Sequence, residues 1–154
     1  MNGENTNWQQ SVTGVLIKDG KVLLGRHTYG AGKGLLIVPG GYVNNGETPQ
    51  NAVKREYLEE TGISVEPKDL IAVRFNMKDW YVAFSLEYIN GTARSDKDEN
   101  SEVIWLDISK AMQRDDVPAL TKELIKSALN SNKPLTKCEF ESKENHGTYS
   151  LYTK

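Results

Sequence analysis

From Ser11 onward, apolar and polar positions follow a strand-like pattern: SVTGVLIK, then Asp19-Gly20, then KVLLGRH. An Asp-Gly pair between two runs rich in β-branched and apolar residues predicts a hairpin, because both central residues of its turn need positive φ. Residues 28–34 (TYGAGKG) read as a flexible loop, and residues 35–38 (LLIV) as a short buried strand running into Pro39-Gly40-Gly41. The pattern then turns helical over 48–60. Thr48 is placed to cap the start, Pro49 takes the first helical position where its missing N–H costs nothing, and Gly62 offers the stop. Further strands are expected at 70–75, 80–88 and 102–106, with Asn90-Gly91 as a turn. A last helix over 117–129 carries Val117, Leu120, Leu124 and Ala128 at three- and four-residue spacing, which gives it one buried face.

Strands, helix, strands, helix, without internal repeats, predict an α/β fold: a mixed sheet with helices on both faces. The chain of 154 residues suits one domain with a real core. Residues 1–10, rich in Asn and Gln, read as a flexible N-terminus and 11–130 as the domain. The tail, 131–154, reads either as a terminal hairpin of CEFES and TYSLY turning around Glu144 and Gly147, or as loose chain. A formal net charge of −2 argues against a nucleic-acid polymer as partner, since that footprint needs clustered Lys and Arg. The single cysteine, Cys138, allows no intrachain disulfide. With no apolar leader and no run of membrane-spanning length, the default expectation is a cytoplasmic protein without membrane contact.

The informative segment is residues 40–63, GGYVNNGETPQNAVKREYLEETGI. On a helical wheel Glu56, Glu59 and Glu60 share an arc of about 100°, with Arg55 at one margin and Val53 and Tyr57 at the other. Three carboxylates at i, i+3 and i+4 repel one another, and they sit near a helix C-terminus, where the macrodipole disfavours negative charge. Two local rules broken together mark a functional place. A hard divalent cation such as magnesium, which wants oxygen ligands, removes the conflict. An acidic run alone is commonly only a solvated face. The flanking residues decide between these readings, because Gly41, Glu47, Arg55-Glu56, Glu59-Glu60 and Gly62 fall at the fixed spacing of a long gapped pattern.

This segment resembles the Nudix box: a glycine, any five residues, Glu, any seven, Arg-Glu-hydrophobic-any-Glu-Glu-any-Gly-hydrophobic. Its positions here are Gly41, Glu47, Arg55, Glu56, Tyr57, Glu59, Glu60, Gly62 and Ile63, and only Tyr57 departs, standing where an aliphatic residue is usual. The resemblance implies an α/β/α sandwich with a mixed sheet and a metal-dependent pyrophosphohydrolase using Mg2+, with Mn2+ as an alternative. It makes Glu56, Glu59 and Glu60 metal ligands, with a backbone carbonyl at Gly40 or Gly41. Arg55 would orient the glutamates, with Glu47 as its salt-bridge partner or as an outer ligand. Metal screens the charge of a diphosphate, polarises a phosphoryl oxygen and acidifies a water, so that a glutamate can take its proton as it attacks phosphorus in line. Glu60 and Glu59 are the candidate bases on the helix. Some family members use a glutamate from a later loop, for which Glu102 is the candidate, against an exposed strand-edge acid as the plain alternative.

The remaining signals concern the substrate, a small nucleotide. Arg26 is a candidate phosphate contact, and Trp8, Trp80 and Tyr81 are candidates to stack on a base or ribose. Trp105, in an alternating strand, reads as core, and His27 as a lone structural histidine. The loop AGKG lacks P-loop spacing, because Gly34 follows Lys33. ADP-ribose, other nucleoside diphosphate sugars and (deoxy)nucleoside triphosphates all remain open. A proline that often accompanies ADP-ribose hydrolases about sixteen residues beyond the box is missing, and Asp79 stands near that place. The alternative class is a ligand-binding protein that keeps the fold and has lost catalysis, against which all the box glutamates are retained. A homodimer joined through the tail is a further expectation.

Overall fold

A computed structural model of the chain describes residues 9–77, 79–130, 132–139 and 150–154. Its elements are β1 (Gln9–Lys18), β2 (Lys21–His27), β3 (Leu36–Ile37), β4 (Gly40–Tyr42), α1 (Pro49–Thr61), β5 (Ile63–Phe75) and β6 (Asp79–Gly91), followed by β7 (Asn100–Asp107), α2 (Ile108–Gln113), α3 (Ala119–Ala128), β8 (Thr136–Lys137) and β9 (Ser150–Thr153). The strands run in the order β3-β2-β1-β6-β5-β9-β8, with β4 also on β1 and β7 also on β2. β1 and β6 are parallel and the other pairs antiparallel, so the sheet is mixed, as the element order predicts.

Alternation along the strands feeds two cores. Val12, Leu16 and Leu23 point to one face, where they pack with Ala52, Val53 and Tyr57 of α1. Val15, Val22 and Leu24 point to the other, against Ala111 of α2 and Leu124 and Ile125 of α3. A period of two on the strands and of 3.6 on the helices therefore yields the helix–sheet–helix sandwich. The sequence reading of α1 holds at both ends. Thr48 Oγ1 accepts from the N–H of Asn51 at 3.2 Å, and Gly62 turns left-handed (φ 74°) and donates to the carbonyl of Leu58 at 3.0 Å. The Asp19-Gly20 turn has both residues at positive φ, 52° and 73°.

Tyr57, the one departure from the box pattern, is fully buried, and its hydroxyl donates to the carbonyl of Gly14 at 2.6 Å. The sheet thus accepts an aromatic ring at an aliphatic position by satisfying its polar end.

Several boundaries differ from the pattern. β1 begins at Gln9, paired in parallel with Asp79 and Trp80, so Gln9 and Gln10 are not part of a flexible terminus. β5 starts at Ile63, directly after the helix, and hides its first half behind register shifts at Ser64/Val65 and Pro67/Leu70 that break the alternation. Asn90-Gly91 ends β6 opposite Ile63 and Ser64 instead of forming a turn. The 28–34 loop is a set of turns closed by hydrogen bonds from Lys33 to Gly30, Gly34 to His27 and Leu35 to Gly32. In the tail, β8 pairs with β9 and β9 with Ala72 to Phe75 of β5, while the expected turn at Glu144 and Gly147 lies outside the described residues. No helix among the described residues is long and apolar enough to cross a membrane.

Candidate active site

The box residues converge where the last turns of α1 lie beside β4 and the segment entering β7. One carboxylate oxygen each from Glu56, Glu60 and Glu99 lies within 4.8 Å of the others. Glu56 and Glu60, four residues apart, occupy the sheet-facing side of the helix and are buried. Glu99 is half-buried on the segment just before β7. Gly41 makes room for this: a Cβ built there would collide with the Glu56 carboxylate. Pairing of Val12 with Gly41 and Thr13 with Gly40 holds that glycine strand against β1.

Arg55 organises the outer side of the cluster. It grips Glu47 through Nε to Oε1 at 2.8 Å and Nη2 to Oε2 at 3.0 Å. It also donates to Glu56 at 2.9 Å, to Glu59 at 3.3 Å and to the carbonyl of Tyr42 at 3.1 Å. The planar fork suits it to such bidentate work. The bond to Glu47 is the largest influence raising the Arg55 pKa, and Arg55 in turn lowers that of Glu47. Glu59 does not join Glu56 and Glu60: its side chain is 60% exposed and turned along the helix toward Arg55. Its position on the solvent side of the arc explains the separation.

Burial of like charges shows in the carboxyls themselves. Glu60 is only 3% exposed. Burial first, then the adjoining Glu99 carboxyl and the charge of Glu56, push its pKa up to about 9, against a lowering contribution from the Gly40 N–H. Burial also raises Glu56, opposed by Arg55. Among the described residues Glu60 Oε1 has no hydrogen-bond partner. Three oxygen donors, two of them buried and like-charged, with one oxygen unsatisfied, fit a hard divalent cation.

Beyond β4 the surface opens into a hollow of about 200 Å³ bordered by Gly40, Gly41, Tyr42, His27, Tyr81 and the Arg74–Asp79 pair. Asp79 is held by Arg74 at 2.8 and 3.0 Å and by Ser11 Oγ at 3.2 Å, and Arg74 lies over the Tyr81 ring at 4.6 Å. Burial lowers the His27 pKa, so its ring favours the neutral state at this border.

Three sequence expectations are corrected here. Glu102 faces Arg26 across the β2–β7 ladder and binds it at 2.9 Å, because the register pairs these two positions. Arg26 is occupied on its other side by Asp116 at 3.1 Å and the carbonyl of Gly34 at 2.8 Å, which makes it a clamp between strand and loops and not a free phosphate contact. Trp80 neighbours Tyr81 in sequence but points to the opposite side of β6, edge-on to Phe75 at 5.6 Å, and does not line the hollow. Trp8 lies outside the described residues. The residue missed by sequence reading is Glu99. Its signal, an acid on the segment entering β7, was present but lies three positions before the one chosen.

Comparison with known proteins adds the family context. The family model described as the NUDIX domain matches residues 8–127. The ADP-ribose pyrophosphatase of Methanocaldococcus jannaschii is 43% identical over 63 residues, 41% of this chain and 37% of that protein. The NAD-capped RNA hydrolase NudC of Vibrio atlanticus is 29% identical over 130 residues, 80% of this chain and 46% of that protein. The chain therefore spans less than half the length of either relative. The crystal structure of a MutT protein from Methanosarcina mazei Go1 superposes with a TM-score of 0.70 at 26% identity, covering 84% of this chain and 99% of that one.

Proposed function

The chain belongs to the Nudix family, and from that premise we propose that it is a magnesium-dependent hydrolase of a diphosphate linkage in a small nucleoside diphosphate derivative. The observation that carries the proposal is the cluster of Glu56, Glu60 and Glu99 beside the glycine strand β4, at the border of an open hollow. Glu56, Glu60 and Glu99 would hold the cation, with a backbone carbonyl of Gly40 or Gly41 in support; manganese is the alternative ion. Bound there, the cation supplies positive charge against the diphosphate and acidifies water. Arg55, fixed by Glu47, sets the orientation of Glu56. Glu99, the member of the cluster that reaches solvent, is assigned to take the proton of the attacking water. The hollow lined by Tyr81 and His27 receives the nucleoside side of the substrate, whose flat base suits an aromatic wall. ADP-ribose is the first candidate, because the name of the archaeal relative specifies it.

The test is product release from a panel of ADP-ribose, other nucleoside diphosphate sugars and nucleoside triphosphates with Mg2+, wild type against Glu60→Gln. Turnover of one substrate class that collapses in the variant supports the proposal. No turnover anywhere, with tight binding of one of these ligands by wild type, replaces it with a binding protein that retains the fold.

A further inference from the structure

Glu99 belongs to no regular element, yet its carboxyl must meet two others fixed on a helix. Hydrogen bonds on both sides of it supply the constraint. On one side, the N–H of Thr28 donates to the carbonyl of Glu99 at 3.2 Å, and Thr28 Oγ1 reaches the carbonyls of Asp98 at 2.6 Å and Glu99 at 3.1 Å. On the other side, the buried Asn100 donates from Nδ2 to the carbonyl of Glu60 at 2.9 Å. That carbonyl belongs to the last turn of α1, where helix geometry leaves acceptors without intrahelical donors. The loop is closed on itself as well. Asp96 Oδ1 accepts from the N–H groups of Asp98 and Asn100 at 3.0 and 3.1 Å, and Ser95 Oγ donates to the carbonyl of Asn100 at 2.8 Å.

We propose that Asn100 and Thr28 are positioning residues of the metal site: together they tie the Glu99 segment to the C-terminal turn of α1 and to the end of β2, and so set the spacing of Glu99 from Glu56 and Glu60. The inference rests on the reading of these carboxylates as a metal site. Asn100 performs two tasks with one side chain, capping the helix that carries Glu60 and fixing the backbone next to Glu99. Thr28 holds the same peptide from the opposite direction. Loss of either leaves all three carboxylates in place but frees their mutual distance, and an ion that demands near-ideal octahedral geometry is sensitive to that.

Magnesium alone is the probe. The melting temperature of the full chain is followed against Mg2+ concentration without nucleotide, for wild type, Asn100→Ala, Thr28→Val and Thr28→Ser. The Mg2+ midpoint is expected to rise about 10–100-fold in Asn100→Ala and Thr28→Val, the usual effect of removing a group that orients a metal ligand. Thr28→Ser, which keeps the hydroxyl, is expected to stay near wild type. With nucleotide at saturating Mg2+, kcat falls while KM changes little. A purely structural role would lower the metal-free melting temperature and leave the midpoint alone; that result overturns the proposal. Should Asn100→Ala fail to fold, Thr28→Val against Thr28→Ser decides it. A wild type indifferent to Mg2+ refutes the metal site itself, whereas unmoved variants beside a responsive wild type refute only the positioning role.

Discussion

Replacing Glu60 by glutamine isolates the electrostatic cost of the cluster in the metal-free protein. The folded carboxyl has a pKa of about 9, against an ordinary value of 4.5. Below about pH 4.5 the group is protonated in both states and contributes no difference. Between pH 4.5 and 9 the unfolded chain ionises while the folded one holds its proton. Stability therefore falls as pH rises, by at most about 1.4 kcal/mol per pH unit for one proton, and levels off above the folded value. From pH 6 to pH 8 that amounts to at most about 2.7 kcal/mol, or roughly 5–11 °C in Tm for a domain of this size. Other titrating groups also move Tm, but they are common to wild type and Glu60→Gln, so the difference between the two reports Glu60. In EDTA the variant should gain on wild type steadily as pH rises from 6 to 8. With saturating Mg2+ the order should reverse, because the cation replaces the proton and binds only wild type well. Calorimetry of Mg2+ binding at pH 7.5 in buffers of different ionisation enthalpy should show about one proton released per protein. A Tm difference that is flat with pH, together with no proton release, would refute the claim that burial and like charge hold Glu60 protonated.

Other perturbations probe the parts separately. Tyr57→Phe removes the hydroxyl that satisfies the Gly14 carbonyl and should cost about 1–2 kcal/mol in urea unfolding, without altering the Mg2+ response. Gly41→Ala places a methyl group against the Glu56 carboxylate; we expect an intact fold by circular dichroism and a loss of Mg2+ affinity of tenfold or more, on the order of that for displaced ligand-orienting groups. Arg55→Lys keeps the charge but loses the two-point grip on Glu47, so kcat should fall by roughly tenfold or more, seen in steady-state kinetics at saturating Mg2+. Thr48→Ala removes the helix cap and should lower stability by about 1 kcal/mol, read as a shift of the denaturant midpoint at unchanged slope.

The parts of this fold that were legible in the sequence are those governed by local chemistry. Asp19-Gly20, Thr48-Pro49 and Gly62 each satisfy a specific backbone demand, and each stands where the pattern puts it. The two-faced sheet was legible for the same reason, since Val12, Val15 and Leu16 sort by alternation alone. Illegible were features made by pairing. The first half of β5 is a strand because β6 accepts it across bulges, not because its own residues alternate. At the site, the spacing of Glu56 and Glu60 on one helix face was readable. The roles of Arg26 and Glu102 depend on which residue of β7 lies opposite β2, and one sequence does not contain that register.

The same register explains why Glu99, and not Glu102, meets the helix. β2 and β7 pair regularly from Lys21–Asp107 to Arg26–Glu102, and then slip between Arg26 and His27, so that His27 pairs with Asn100. Before the slip, Arg26 and Glu102 neutralise each other on the flank of the sheet. Past it, the chain turns Asn100 inward to the end of α1 and leaves Glu99 free of the ladder, beside two acids already buried. A bulge next to a cluster of like charges is locally unfavourable twice over, in lost pairing and in desolvation. The fold bears both because Tyr57, Leu16 and Leu23 lock α1 to the sheet from the apolar side, and dense packing does not let the helix rotate its glutamates away. Core packing thus fixes the carboxylates in a conflict, and under the proposed function a divalent cation would relieve it.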